Sequence, residues 1–217
     1  MNKYMNLIGQ NAKKAIFNKI NAKTKNKVLK KYIFLIEKEK KSILRSNVKD
    51  IKFAIKKKLK NSLINRLILN SKKLNSMKQA IKNIIHLKDP IDNTLEKWTR
   101  PNGLIIKRVS IPIGIIGVIY ESRPNVTSDV SSLCFKSGNA VILRGGSEAI
   151  NTNKILAQLF RKALKKNKVN PNFVQFIHKK NRKLVDFMLS KMNKQIDVII
   201  PRGGKSLVKR VQELSKV

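Results

Sequence analysis

Two arginine–diglycine corners and one short polar loop hold the residues of this chain best suited to chemistry. The first corner, Arg144-Gly145-Gly146-Ser147-Glu148, follows an uncharged run and precedes an amphipathic stretch. Glycines there let backbone come close to a ligand and supply a positive φ where one is needed. A helix opening just after them favours an anion; Arg144 can pair with a phosphate, and Glu148 can meet a ribose hydroxyl or orient the arginine. The same residues also make an ordinary tight turn with a surface arginine. Pro201-Arg202-Gly203-Gly204-Lys205 repeats the pattern after a second apolar run. Two such corners in one parallel sheet either line one edge and address one polyphosphate, or are unrelated turns. No G-x-G-x-x-G fingerprint accompanies them.

The polar loop is Glu121–Asn125, an acid, a base and an amide behind an uncharged run. Asn125 can donate its side-chain amide to a developing oxyanion, and Arg123 can hold a carboxylate or a phosphate. The alternative is a structural turn in which Asn125 caps the next helix. Thr127, Ser128 and Asp129 are further candidate caps. Cys134 is the only cysteine, and the spacing of Val130, Leu133, Cys134 and Ser137 predicts one shared helix face, so it reads as an inert core thiol. His86 and His178 stand far apart near the ends of apolar segments, which favours packing over metal ligation.

These groups need rigid elements behind them. Ile113–Tyr120 has no charge and suits a strand buried on both faces; Ala140–Arg144 reads as a second. Leu104–Val109, Phe173–Ile177 and Ile196–Ile200 are further candidate strands, and Asp92–Gly103 is polar and turn-rich. Helices are expected over Glu148–Lys166, Arg182–Met192 and Lys205–Leu214, the first with Ile155, Leu156, Leu159, Phe160, Ala163 and Leu164 on one face. From Ile111 onward strands and helices alternate, the pattern of a parallel α/β sheet with right-handed crossovers. Before Asp89-Pro90 the chain reads as helices over Asn26–Leu44, Asn47–Leu59, Leu63–Leu69 and Leu74–Leu87, without a persistent heptad. The division is a helical region at 1–88 and a sheet region at 89–217, together one domain.

At 217 residues the chain can bury one good core. No apolar run is long enough to span a membrane and no secretory signal pattern opens the sequence, so a cytoplasmic setting is expected. The net charge of +37 raises nucleic acid as a partner, but the charge is spread: 27 basic and 6 acidic residues in 1–100, 22 and 6 in 101–217. Lysine, asparagine and isoleucine are all plentiful, the profile of a base-biased genome, which argues against a specific nucleic-acid role.

The stretches IPIGIIGVIYESRPNVTSDVSSLCFKSGNAVILRGGSEAINTN and DVIIPRGGKSLVKR, with the upstream DPIDNTLEKWTRPNGLIIKRVSIP, resemble the gamma-glutamyl phosphate reductase family of the aldehyde dehydrogenase superfamily. The resemblance covers essentially the whole chain. It implies an α/β fold: a helical amino-terminal region packed on a parallel Rossmann-like sheet, an aldehyde-dehydrogenase-like nucleotide-binding domain. It implies NADPH-dependent reduction of L-glutamate 5-phosphate to L-glutamate 5-semialdehyde with release of phosphate, in proline biosynthesis, through a cysteine thioester. Arg144 and the following Gly145, Gly146, Ser147 and Glu148 are then expected at the adenosine end of NADP, with Gly203 and Gly204, beside Arg202, near its pyrophosphate. Asn125 matches the superfamily's oxyanion asparagine only loosely, because the loop lengths differ. Family members are about twice this length and carry their catalytic cysteine downstream of Val217. The chain is therefore expected to represent the amino-terminal, cofactor-binding half, inactive alone, with a homo-oligomer or a separately encoded catalytic half as possible partner. The alternative is a non-catalytic nucleotide- or polyanion-binding remnant.

Overall fold

The computed structural model describes residues 2–217. Five helices come first: α1 (Asn2–Ile16), α2 (Ala22–Lys38), α3 (Lys40–Lys56), α4 (Asn61–Leu67) and α5 (Ser71–His86). Each of the longer ones buries an apolar stripe, such as Val28, Leu29, Tyr32, Leu35 and Ile36 on α2. Asn21 and Asn70 cap α2 and α5 by accepting from the Thr24 and Lys73 N–H groups, each at 2.8 Å. The continuous helix expected over Asn26–Leu44 is broken at Glu39, whose φ of −97° and ψ of 16° re-aim the chain. The break lets α2 and α3 both lie against one later helix, and no glycine or proline announces it.

A two-stranded antiparallel hairpin follows, β1 (Thr94–Thr99) and β2 (Ile105–Val109), paired from Thr94↔Val109 to Thr99↔Ile105 with a shift of register between Thr94 and Glu96. The turn between them places Gly103 at φ +82°. β1 lies within the stretch read above as polar and turn-rich. Every residue of β1 is exposed, so it carries no apolar alternation for a sequence reading to find.

The rest alternates as expected: β3 (Ile115–Tyr120), α6 (Pro124–Lys136), β4 (Ala140–Gly145), α7 (Ile150–Lys166), β5 (Val174–Phe176), α8 (Lys183–Lys191), β6 (Val198–Arg202) and α9 (Lys205–Leu214). The four strands from β3 to β6 are all parallel and lie in the order β5-β4-β3-β6. β3 and β4 are buried along their whole length. Tyr32 of α2, Phe160 of α7, Phe135 of α6 and Phe173 before β5 meet in that order, tilted or edge to face, with ring centroids 4.7, 5.8 and 5.5 Å apart. The early helices and the sheet thus share one apolar core.

A buried carboxylate joins them as well. Asp50 of α3 is 1% exposed. It accepts from Asn151 N–H at 3.1 Å and Nδ2 at 2.7 Å, and from Thr152 N–H at 2.8 Å and Oγ1 at 2.6 Å. It therefore occupies the free amide end of α7, the anion position expected of the first glycine corner.

Candidate functional site

Because the sheet is parallel, its strand ends and the loops that follow them fall on one edge. Tyr120 is in register with Gly145 on one side and with Arg202 on the other, so both arginine–diglycine corners flank the end of β3. A cleft of about 550 Å³ opens there, lined by Glu121, Arg144–Glu148, Lys180, Arg182 and the α9 residues Ser206, Leu207, Lys209, Arg210 and Glu213, among others. This is where open α/β sheets bind ligands.

Of the two roles the sequence offers the corner glycines, positive φ is not used. Positive φ among glycines belongs to Gly103, Gly114 and Gly138, not to either corner. At the corners the requirement is close approach. A Cβ on Gly145 would run into Asn153 Nδ2 and come 3.0 Å from the Tyr120 ring; on Gly146 it would strike the Glu148 carboxylate. On Gly203 it would lie 2.6 Å from Glu121 Oε2, whereas on Gly204 its nearest neighbour is 3.9 Å away.

Arg144 is 4% exposed. Its guanidinium already donates to the Gly145 carbonyl and, at 3.3 Å, to that of Lys180, while Nε has no partner. Burial lowers its pKa, partly offset by Glu148. Glu148 is also engaged. Its Oε1 accepts from the Ser122 N–H at 2.7 Å and hydroxyl at 2.8 Å, fixing Ser122 at a left-handed φ of +36°. Glu148 thus ties the loop after β3 to the loop after β4. Beneath them Tyr120 and Thr127 share a hydrogen bond of 2.6 Å, and Thr127 Oγ1 donates to Asn153 Oδ1 at 3.0 Å.

Thr127, Ser128 and Asp129 lie inside α6 rather than capping it; the helix begins at Pro124, whose missing N–H costs nothing in the first turn. The shared face expected of Val130, Leu133, Cys134 and Ser137 is also redrawn. Leu133 is 48% exposed, and the buried side carries Val126, Ser131, Cys134 and Phe135. Cys134 keeps its expected core place, and burial pushes its thiol up to about 12. Asn125 does not cap α6: its Nδ2 donates to Asp129 Oδ2 at 3.0 Å. Asp129 Oδ1 is buried without a partner, and burial raises this carboxyl's pKa. Arg123 and Asn125 are not among the residues lining the cleft. Both histidines are exposed, and the Tyr4 hydroxyl meets His178 Nδ1 at 3.1 Å.

Lys180 and Arg182 were not singled out from the sequence, yet they bring exposed cations to the cleft wall. They sit in a lysine-rich connection where charge alone carries no signal. Glu121 is the other group whose role only the structure displays: its Oε2 accepts from the Gly204 N–H at 3.0 Å.

No protein-family model matches the chain. A gamma-glutamyl phosphate reductase of Sulfurihydrogenibium is 41% identical over 216 residues, which is 99% of this chain and 48% of that protein. The crystal structure of gamma-glutamyl phosphate reductase from Thermotoga maritima superimposes with a TM-score of 0.93 at 38% identity, covering 97% of this chain and 51% of that one. More distant structures share the fold alone. A probable aldehyde dehydrogenase of Listeria monocytogenes is 14% identical with a TM-score of 0.72, and an engineered glycolyl-CoA reductase with bound NADP+ is 18% identical at 0.72. The chain spans about half the length of the curated relatives it matches. By sequence and by fold, then, it is a homologue of the gamma-glutamyl phosphate reductases over about half of their length, built on the aldehyde dehydrogenase scaffold.

Proposed function

We propose that the chain is the cofactor-binding portion of an NADPH-dependent gamma-glutamyl phosphate reductase, a cytoplasmic enzyme of proline biosynthesis. The whole reaction reduces L-glutamate 5-phosphate to L-glutamate 5-semialdehyde with release of phosphate. In this reading residues 1–88 and 89–217 act together as one cofactor domain. The observation that carries it is the cleft between the first corner and α9, the helix that follows the second corner. Arg144, Lys180, Arg182, Lys209 and Arg210 line it against Glu121, Glu148 and Glu213, an excess of cations suited to a phosphate-bearing ligand. The partnerless Arg144 Nε on its wall supports the same fit. The NADP+ bound to the engineered glycolyl-CoA reductase supports a nicotinamide dinucleotide in this fold.

NADPH, when bound, supplies the hydride. The chain's own residues bind and orient. Arg144, with Lys180 and Arg182 beside it, takes the phosphate at the adenosine end, exchanging its long bond to the Lys180 carbonyl. Gly145, Gly146, Ser147 and Glu148 shape that end of the cleft. Gly203 and Gly204, beside Arg202, offer backbone N–H groups to the pyrophosphate. Arg123 holds the substrate's anionic end, and Asn125 offers to the oxyanion the amide hydrogen that Asp129 does not take. Cys134 is not the nucleophile, since its thiol is buried in the core.

A partner completes the site, either a catalytic portion or a second copy. The exposed Leu95, Trp98, Ile105 and Val109 of the hairpin support an interface there. Calorimetric titration of the purified chain tests the reading. NADPH is expected to bind, Arg144→Ala to weaken it by about tenfold or more, and glutamate 5-phosphate to release no phosphate. Absence of NADPH binding overturns the reading, and phosphate release overturns the assignment of Cys134.

A further inference from the structure

The loop leaving β3 runs between the two glycine corners, and Glu121 is its first residue. Its N–H donates to the Arg202 carbonyl at 3.2 Å, which anchors its backbone beside the second corner. Its Oε2 accepts from the N–H of Gly204, the residue that opens α9. The carboxylate therefore lies where the unpaired amides and positive end of that helix point. The lack of a side chain on Gly203 makes room for it.

Two of the helix ends at this edge, those of α7 and α9, thus each carry an internal anion, but the two differ. Asp50 at α7 is 1% exposed and accepts four hydrogen bonds, so it cannot leave without unfolding its surroundings. Glu121 is half-buried, accepts one side-chain hydrogen bond, and faces the cleft. Lys180 and Arg182, exposed on the cleft wall, have no carboxylate partner among the described residues. Arg144 adds a buried N–H with no acceptor. The cleft therefore has, among the described residues, cations without a carboxylate partner on one wall, and on the other Glu121, whose side chain is held by a single hydrogen bond from the Gly204 N–H at the start of α9.

We propose that Glu121 is the resident occupant of the phosphate position at α9, and that a dinucleotide enters by displacing it. Glu121 then stabilises the ligand-free chain and lowers its affinity for the cofactor, two effects of opposite sign from one carboxylate. This inference rests on the dinucleotide reading above.

The test compares the full chain with Glu121→Gln and Glu121→Ala, using NADPH titration and ligand-free thermal melting. Both variants are expected to melt lower by roughly 1–4 °C without ligand, yet to bind NADPH about two- to fivefold tighter. Glu213→Gln serves as the charge control. Glu213 lines the same cleft but belongs to the last turn of α9, so its variant should gain less. A purely structural role for Glu121 predicts lower melting with unchanged or weaker binding, and that result overturns the proposal. So does an equal gain in Glu213→Gln, which would reduce the effect to net charge. Equal binding by the wild type and both Glu121 variants sinks the displacement and leaves the dinucleotide reading standing. Failure of every protein to bind NADPH overturns both.

Discussion

Asp50 and Thr152 stand 102 positions apart, yet the Asp50 carboxylate accepts both the backbone N–H and the hydroxyl of Thr152, at 2.8 and 2.6 Å. With the two bonds from Asn151, they close the amino end of α7 from inside the protein. The first glycine corner is therefore a packed joint whose helix end is already taken, and its outer rim from Gly146 to Glu148 is the part that lines the cleft. Asp50→Ala leaves these donors buried and unpaired, and should cost roughly 2–4 kcal/mol in urea unfolding. Asp50→Asn should recover only part of that loss, since its amide places a donor against donors. Loss below about 1 kcal/mol in Asp50→Ala would mean that water replaces the carboxylate and that the joint is not closed.

Cys134 gives a second check, on the core. Its thiol is 7% exposed and pushed up to about 12 by burial. An aromatic disulfide reagent at pH 8 should react with the native chain ~100-fold or more slowly than with the urea-unfolded chain, because thiolate and access are both withheld. Cys134→Ser should leave NADPH titration unchanged. Rapid native labelling would place the thiol in an open, activated setting and reopen it as a nucleophile.

These residues also show what the sequence makes legible. Ile115–Tyr120 and Ala140–Gly145 are readable as central strands because both faces are buried, so apolar residues run without a charged break. Parallel topology then puts both corners on one edge, and the register of Tyr120 with Gly145 and Arg202 follows. Thr94–Thr99 is unreadable for the opposite reason: it buries no face and is a strand only through pairing with Ile105–Val109. Asp50 looks like one charge among many on a lysine-rich helix, and only the distant end of α7 explains its burial. Glu121 and Glu148 were visible as chemistry-bearing residues, but their partners Gly204 and Ser122 are fixed by tertiary contact. The sequence offers the corner glycines both close approach and positive φ; the structure uses only room, and for neighbouring side chains, a distinction carried by neighbours rather than by spacing.

Asp129 links the site to pH. Burial raises its carboxyl pKa, and one of its oxygens has no hydrogen-bond partner. A carboxyl raised in the folded state favours the protonated native form. Its contribution to stability is thus present below the ordinary aspartate value of about 3.9 and is lost as pH rises through the raised native value. Asp129→Asn keeps an acceptor for Asn125 and removes the buried charge. The variant should unfold at a higher urea concentration than wild type at pH 7, with the gain shrinking as pH is lowered toward 4. A variant less stable than wild type at pH 7 would show that the charge is needed, with nearby Arg202 as its counter-ion.

The glycine corners make the sharpest contrast, because Gly145, first glycine of one corner, is crowded while Gly204, second glycine of the other, is open. A methyl on Gly145 must displace the Asn153 amide and press on the Tyr120 ring, both held in the hydrogen-bonded set with Thr127. Gly145→Ala should therefore cost roughly 1–3 kcal/mol by overpacking. A methyl on Gly204 meets nothing nearer than Glu121 Oε2 at 3.9 Å, and its φ of −70° suits alanine. Gly204→Ala should change stability by no more than about 0.5 kcal/mol. The same methyl does narrow the approach to the Gly204 N–H, the donor that Glu121 now occupies. NADPH titration of this stable variant thus isolates the amide end of α9: weaker binding places a phosphate there, while unchanged binding moves the dinucleotide's phosphates to the Lys180 and Arg182 side of the cleft.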